Sequence, residues 1–143
     1  MRSDIWGAGA RGIVAAGLAA LGLTAAATPA AASTGCDQAN AGAFNLAGTG
    51  NVLGLLGDLL SDFTAFFVAG ERLVFTTTSA TAQTHLTRDV TAGVTIISAV
   101  TTFATATYAI PQSGNRHFFM EVGNLANDPK TLTVTCIPAA GGR

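Results

Sequence analysis

The chain predicts an all-β fold, an antiparallel two-layer β-sandwich of about seven strands with room for one short helix, behind an amino-terminal signal peptide. Three observations lead there. From Phe63 onward, short runs rich in Thr, Val, Ile and Phe alternate with period two. Gly, Pro and Asn interrupt those runs at spacings near ten residues, as in a chain that turns from strand to strand. The only two cysteines, Cys36 and Cys136, bracket the strand-rich region.

Residues 1 to 32 read as the export signal. Arg2 and Arg11 make the start positive despite Asp4, and GIVAAGLAALGLTAAA, residues 12 to 27, is an apolar run too short for a comfortable membrane span. Pro29 ends any helix. Ala30 and Ala32 are the small residues an exporting peptidase requires three and one positions before its cut. Ser33 is then the first mature residue, and residues 33 to 143 form a single β-sandwich domain.

Losing Arg2, Asp4 and Arg11 with the signal leaves seven acidic and five basic residues. That balance attracts no charged polymer. Nucleic acid is not an expected partner, because phosphate binding needs clustered cations and Arg72, Arg88, Arg116 and Lys130 are scattered. No transmembrane segment is expected in the mature chain. The longest apolar stretch, residues 52 to 70, carries Asp58 and Asp62, each costing a few kcal/mol in hydrocarbon. A membrane barrel needs at least about eight strands of about ten residues, more than this length supplies.

Along the mature chain, NVLGLLGDLLSDF comes first. At helical spacing Val52, Leu56, Leu59 and Phe63 share one side and Asp58 and Asp62 another, so the segment reads as a short amphipathic helix capping the sandwich, weakened by Gly54 and Gly57, or as an irregular β edge, with an exposed partner-binding face as the lesser alternative. The role of the Leu-rich residues 53 to 60 stays open. Strands follow at 63 to 68 and 72 to 78, with Leu73 and Phe75 on one face. At 81 to 87, Ala82 and Leu86 lie together while Gln83 and His85 look the other way. RDVTAG turns the chain into strands at 94 to 98 and 103 to 110; in the second, Ala104, Ala106, Tyr108 and Ile110 share a side until Pro111 stops the ladder. After the QSGN turn, Phe118, Met120 and Val122 alternate with His117, Phe119 and Glu121. In KTLTVTCI, residues 130 to 137, Leu132, Val134 and Cys136 face inward against Thr131, Thr133 and Thr135.

Cys36 has two readings. Export delivers it to an oxidising compartment together with Cys136, where two cysteines pair, and a bridge would close a loop of nearly the whole domain. That closure is worth on the order of 4 to 5 kcal/mol in the chain-entropy model, as an upper value. Alternatively STGC is a lipoprotein processing site and Cys36 carries a lipid. Gly35 fits that pattern, but Ser33 stands where such sites carry Leu, and lipidation would leave Cys136 alone.

The segments CDQAN, FVAGERLVFT, YAIPQSGNRHFFMEVGN and LTVTCIPAA together resemble small secreted bacterial β-sandwich modules, including ones found ahead of autotransporter barrels. The resemblance runs over residues 36 to 140. It implies an extracytoplasmic, cysteine-bridged domain and brings no assigned active site.

Asp58 and Asp62 read as solvated helix charges rather than a glycosidase carboxylate pair. His85 and His117, the only histidines, fall on outward positions and read as exposed structural residues, since zinc needs a third and usually a fourth converging ligand. Asn124, Asn127 and Asp128 lack the alternating acidic pattern of a calcium loop and read as a turn. No phosphate loop, dinucleotide fingerprint or nucleophile elbow occurs, so neither catalysis nor a cofactor is expected. The expected function is a non-catalytic envelope or surface module, secreted, periplasmic or held at the cell surface. It would act through protein contacts or self-association at sheet edges. The alternative is a carbohydrate-binding sandwich using Phe119, because the mature chain has only Tyr108 as a polar aromatic and that residue is placed inward. Any small-molecule ligand is unspecified.

Overall fold

A computed structural model describes residues 31–49, 58–123 and 126–140. One short helix, α1 (Thr34–Asn40), precedes six strands: β1 (Leu46–Gly48), β2 (Leu59–Phe67), β3 (Arg72–Asp89), β4 (Val94–Ala109), β5 (Gly114–Gly123) and β6 (Lys130–Ile137). Every pairing is antiparallel, and all six strands belong to one sheet ordered β1-β6-β3-β5-β2, with β4 on the other side of β3.

The long strand β3 turns this one sheet into two layers. Its first half, Arg72 to Ser79, pairs with β6, and its second half, Thr84 to Asp89, pairs with β5. Strand β4 follows both halves along the opposite side, with the register shifting between Thr78 and Gln83. The β3–β4 ribbon bends at that shift, as bulged strands do. One half carries β6 and β1 into one layer, the other carries β5 and β2 into the second, and the sandwich nearly closes into a barrel.

The predicted class therefore stands, with a different count. The expected strands at 72 to 78 and 81 to 87 are one strand, as are those at 94 to 98 and 103 to 110, and β1 is additional. Neither joint, TSAT nor AVTT, contains Gly or Pro, so the chain bends through a bulge without leaving the ladder. Of the two readings of residues 52 to 63, the helix is corrected where the segment is described, because Leu59 and Phe63 lie on β2, an end strand of the sheet as the β-edge reading has it; residues 51 to 57 fall outside the described ones. Of the predicted signal peptide, residues 1 to 32, only Ala31 and Ala32 are described.

The helix sits instead behind the predicted cleavage point. The Ser33 hydroxyl oxygen accepts the Cys36 N–H at 3.0 Å and caps it. Gly35, Cys36 and Ala39 form its buried face. The approach to β2 is close enough that a Cβ on Gly35 would sit 2.4 Å from the Phe66 carbonyl oxygen and 2.8 Å from the Phe67 ring.

Phe118 is the hub of the core. Fully buried on β5, it is ringed by Phe63, Phe67, Phe75 and Tyr108 at centroid distances of 5.5, 5.8, 5.5 and 6.2 Å. Met120, Val122, Leu132, Val134 and Leu73 complete it from the faces that their alternation predicts. Removing a ring of that size from such a centre costs about 3 to 5 kcal/mol.

Candidate functional site, an open sheet edge

Two outer edges of the sheet are treated very differently. Along β6, side chains stand in for a missing strand. The Asn40 amide donates to the Cys136 carbonyl at 2.9 Å while its oxygen accepts the Cys136 N–H at 2.8 Å, and Asn45 Oδ1 accepts the Val134 N–H at 2.9 Å. The short strand β1 then pairs Leu46, Ala47 and Gly48 with Leu132, Thr131 and Lys130. Along β6 the two asparagines and β1 leave few backbone groups for a foreign strand. Strand β2, at the end of the sheet order, pairs only with β5, and its Ser61 hydroxyl donates to the Phe44 carbonyl at 3.1 Å.

Strand β4 has no such cover among the described residues. It runs from Val94 to Ala109 and pairs only with β3. Its sequence, VTIISAVTTFATATYA, contains no Asp, Glu, Lys, Arg, His, Pro or Gly, so it lacks the charges and prolines that ordinarily blunt an edge. On its outer face Val100 is 74 % exposed and Phe103 is 56 % exposed, on either side of the bend. From inside, β4 is held by Tyr108, whose hydroxyl donates to Asp89 at 2.7 Å.

Cys36 and Cys136 are joined in a disulfide with Cα atoms 5.2 Å apart, which ties α1 to β6. The bond uses both sulfurs, so the lipidated reading of Cys36 is set aside. Cys36, Glu71 and Cys136 also form a trio close enough to resemble metal ligands, but the disulfide leaves no thiolate in it.

His85 corrects the expectation of an exposed histidine. It is fully buried, as is Gln83, whereas Ala82 is exposed and Leu86 half-buried. The reason is parity: β3 turns its odd residues inward from Leu73 to Ser79 and again from Gln83 to Asp89, with Thr81 exposed at the bend between the two runs. The interior there is polar enough to take them. His85 Nδ1 lies 2.6 Å from Thr77 Oγ1, and Nε2 lies 2.8 Å from the Thr101 carbonyl oxygen and 3.2 Å from Ser79 Oγ. Burial holds its pKa below the ordinary histidine value, outweighing the bond to Thr101, so the ring is neutral at pH 7. His117 is outward, as expected, and pairs with Asp62 across β2 and β5.

The remaining predicted polar residues are also taken up by neighbours. Asp128 accepts from Thr81, Lys130 and Gln83, which hold its carboxyl down at about 2. Asn127 is exposed beside it, and Asn124 falls outside the described residues. Asp58 lies against Glu121, not Asp62. Its hydrogen bond, together with burial and its charge, raises the Glu121 carboxyl to about 7.

Two buried ion clusters have no counterpart in the sequence reading. Asp89 accepts from Arg116 at 2.6 and 3.2 Å, from Tyr108, and from the Ala92 N–H at 3.0 Å. Burial pushes its carboxyl up, but these bonds prevail and hold it below the usual range. Tyr108 is correspondingly raised to about 12 by burial and by Asp89. The buried Lys130 ammonium donates to the carbonyls of Thr49, Ala126 and Asp128 at 3.0, 2.8 and 2.9 Å and to the Asp128 carboxylate at 2.9 Å. Both clusters join residues distant in sequence, and only the turn signals beside Asp89 and Asp128 hinted at them. Their donors and acceptors are spent on one another, which suits fixing strands rather than handling a substrate.

No family model and no curated protein matches the chain. Among the described residues, no helix is long and apolar enough to cross a membrane.

Proposed function

We propose that this chain is a non-catalytic, exported surface or envelope module that works by edge-to-edge strand contact, in the first place with a second copy of itself. One observation carries the reading: sixteen residues of uncharged, proline-free edge strand with Val100 and Phe103 exposed, in a sheet whose β6 edge is filled residue by residue. A two-fold axis beside β4 brings each strand against its own sequence in antiparallel register. Because β4 carries no ionic charge at neutral pH, such pairing meets no like-charge repulsion. The disulfide supports an oxidising compartment.

Sedimentation velocity over a concentration series tests this. The wild-type mature protein is expected to shift from monomer to dimer, and Val100→Lys with Phe103→Lys to stay monomeric with its thermal unfolding unchanged. A wild-type monomer at every concentration, or a dimer indifferent to the lysines, would overturn the reading. The carbohydrate alternative has less to stand on, since the Tyr108 hydroxyl is spent on Asp89 and Phe119 is half-buried. Glycan binding lost in Phe119→Ala would restore it.

A further inference from the structure

Among the described residues, Glu71 is a buried carboxylate without a charged partner. It is 1 % exposed, just ahead of β3. The other buried ions are matched: Asp89 with Arg116 at 2.6 Å, and Lys130 with Asp128 at 2.9 Å. No Lys, Arg or His side chain among the described residues pairs with Glu71. Its oxygens accept instead from the Val68 N–H at 2.8 Å, the Ser33 hydroxyl at 2.7 Å and the Ser33 backbone N–H at 2.9 Å. In a continuous chain all three donors are neutral, and an ion buried without its counter-charge is strongly destabilising.

The residue that supplies two of those donors is also the one that the signal-peptide pattern places first in the mature chain. We propose that cleavage between Ala32 and Ser33 creates the missing counter-ion, so that the α-ammonium of the mature protein forms a buried ion pair with Glu71. Hydrolysis by the exporting peptidase breaks the Ala32–Ser33 amide. Water gives its hydroxyl to the Ala32 carbonyl carbon and a proton to the Ser33 nitrogen, and that amine takes up a further proton at neutral pH. The nitrogen already lies 2.9 Å from Glu71 Oε2, within charge-assisted hydrogen-bond range. Ala32 is half-buried against the core and Ala31 before it is exposed, so the chain reaches the surface within two residues of the cut.

Processing then does more than release the domain. Ser33 caps α1, α1 carries Cys36, and Cys36 is bonded to Cys136 on β6. A correctly cut terminus locks that whole corner, and a cut one residue away leaves Glu71 without its partner. The inference rests on the export reading, because an uncleaved chain has no ammonium at Ser33.

The test uses the full precursor, exported and processed, with protein recovered outside the cytoplasm. Amino-terminal sequencing is expected to read Ser33 first. A second precursor carries one additional glycine between Ala32 and Ser33, which displaces the ammonium by about 3.8 Å along the chain. It is expected to lose roughly a hundredfold to a few thousandfold in its folding equilibrium constant, the scale of a broken buried pair. Glu71→Gln is expected to cause a similar loss in the Ser33-first protein and little further loss in the glycine-extended one. In the folded wild type the α-amine is also expected to resist acetic anhydride, and to react freely once unfolded. If export fails or another residue comes first, the export reading falls and this inference with it. If Ser33 comes first but the extension is harmless, or the amine is fully reactive in the folded state, the ion pair alone is overturned.

Discussion

The outer edge of β6 and the outer edge of β4 are built from the same kind of backbone and finished in opposite ways. At β6, Asn40 and Asn45 satisfy the backbone of Cys136 and Val134, β1 takes the next three residues, and a disulfide holds α1 against the strand. At β4, a strand twice as long pairs on one side only and carries neither charge nor proline. A β-domain gains nothing in its own stability from such an edge and takes on a risk of unwanted pairing. The difference teaches that edge protection is available to this sequence and is withheld at β4, and the proposed contact is built on that contrast.

The contrast can be broken from the closed side. The largest effect is expected from Cys36→Ser with Cys136→Ser. Freeing a loop of 100 residues costs on the order of 4 to 5 kcal/mol at most, measured by urea unfolding of the oxidised wild type against the double variant. Far-UV circular dichroism should still report strand where the variant folds. Next come Asn40→Ala and Asn45→Ala, each expected to cost about 1 to 3 kcal/mol, because a strand amide or carbonyl loses its partner. These variants should also acquire association through β6 that the lysine pair on β4 does not suppress, a readout that packing loss alone would not produce.

Much of this was legible in advance, for reasons tied to particular residues. Leu73 and Phe75, Ala104 to Ile110, Phe118 to Val122 and Leu132 to Cys136 announce their inward faces because apolar alternation there coincides with burial. His85 and Gln83 defeated the same rule. Hydropathy puts Leu86 inside, but the pleat of β3 resumes beyond the bend with its odd residues inward, from Gln83 to Asp89, and so brings the polar residues in. The two-layer architecture follows from strands of this type, but the bend in β3 does not, since a bulge needs no Gly or Pro to mark it. Helix α1 left a faint signal, Ser33 as a cap before a Cys-Asp-Gln-Ala-Asn run, overshadowed by the stronger helical spacing downstream. At the candidate site the lack of charge from Val94 to Ala109 was readable. That β4 lies at an edge was not, because edge position depends on pairings up to 65 residues apart.

A smaller effect is expected at the outer face of β5, away from both contrasted edges. Glu121 has its carboxyl raised from 4.5 to about 7 beside Asp58, so the folded state favours its protonated form. A raised pKa contributes stability that is complete below about pH 4.5 and is lost as pH climbs through about 7. Thermal unfolding should therefore move to lower temperature between those values, and Glu121→Gln should flatten that part of the profile. A profile unchanged by the substitution would assign the slope to another group.

The contrast between the edges is tested most directly by amide hydrogen exchange on the mature protein at low and high concentration. The amides of Val134 and Cys136 are expected to be protected at both, whereas those of β4 that point away from β3 should exchange quickly when dilute and become protected on association. If the outward amides of β4 exchange equally fast at both concentrations while the protein dimerises, the contact lies elsewhere and β4 is not the interacting strand.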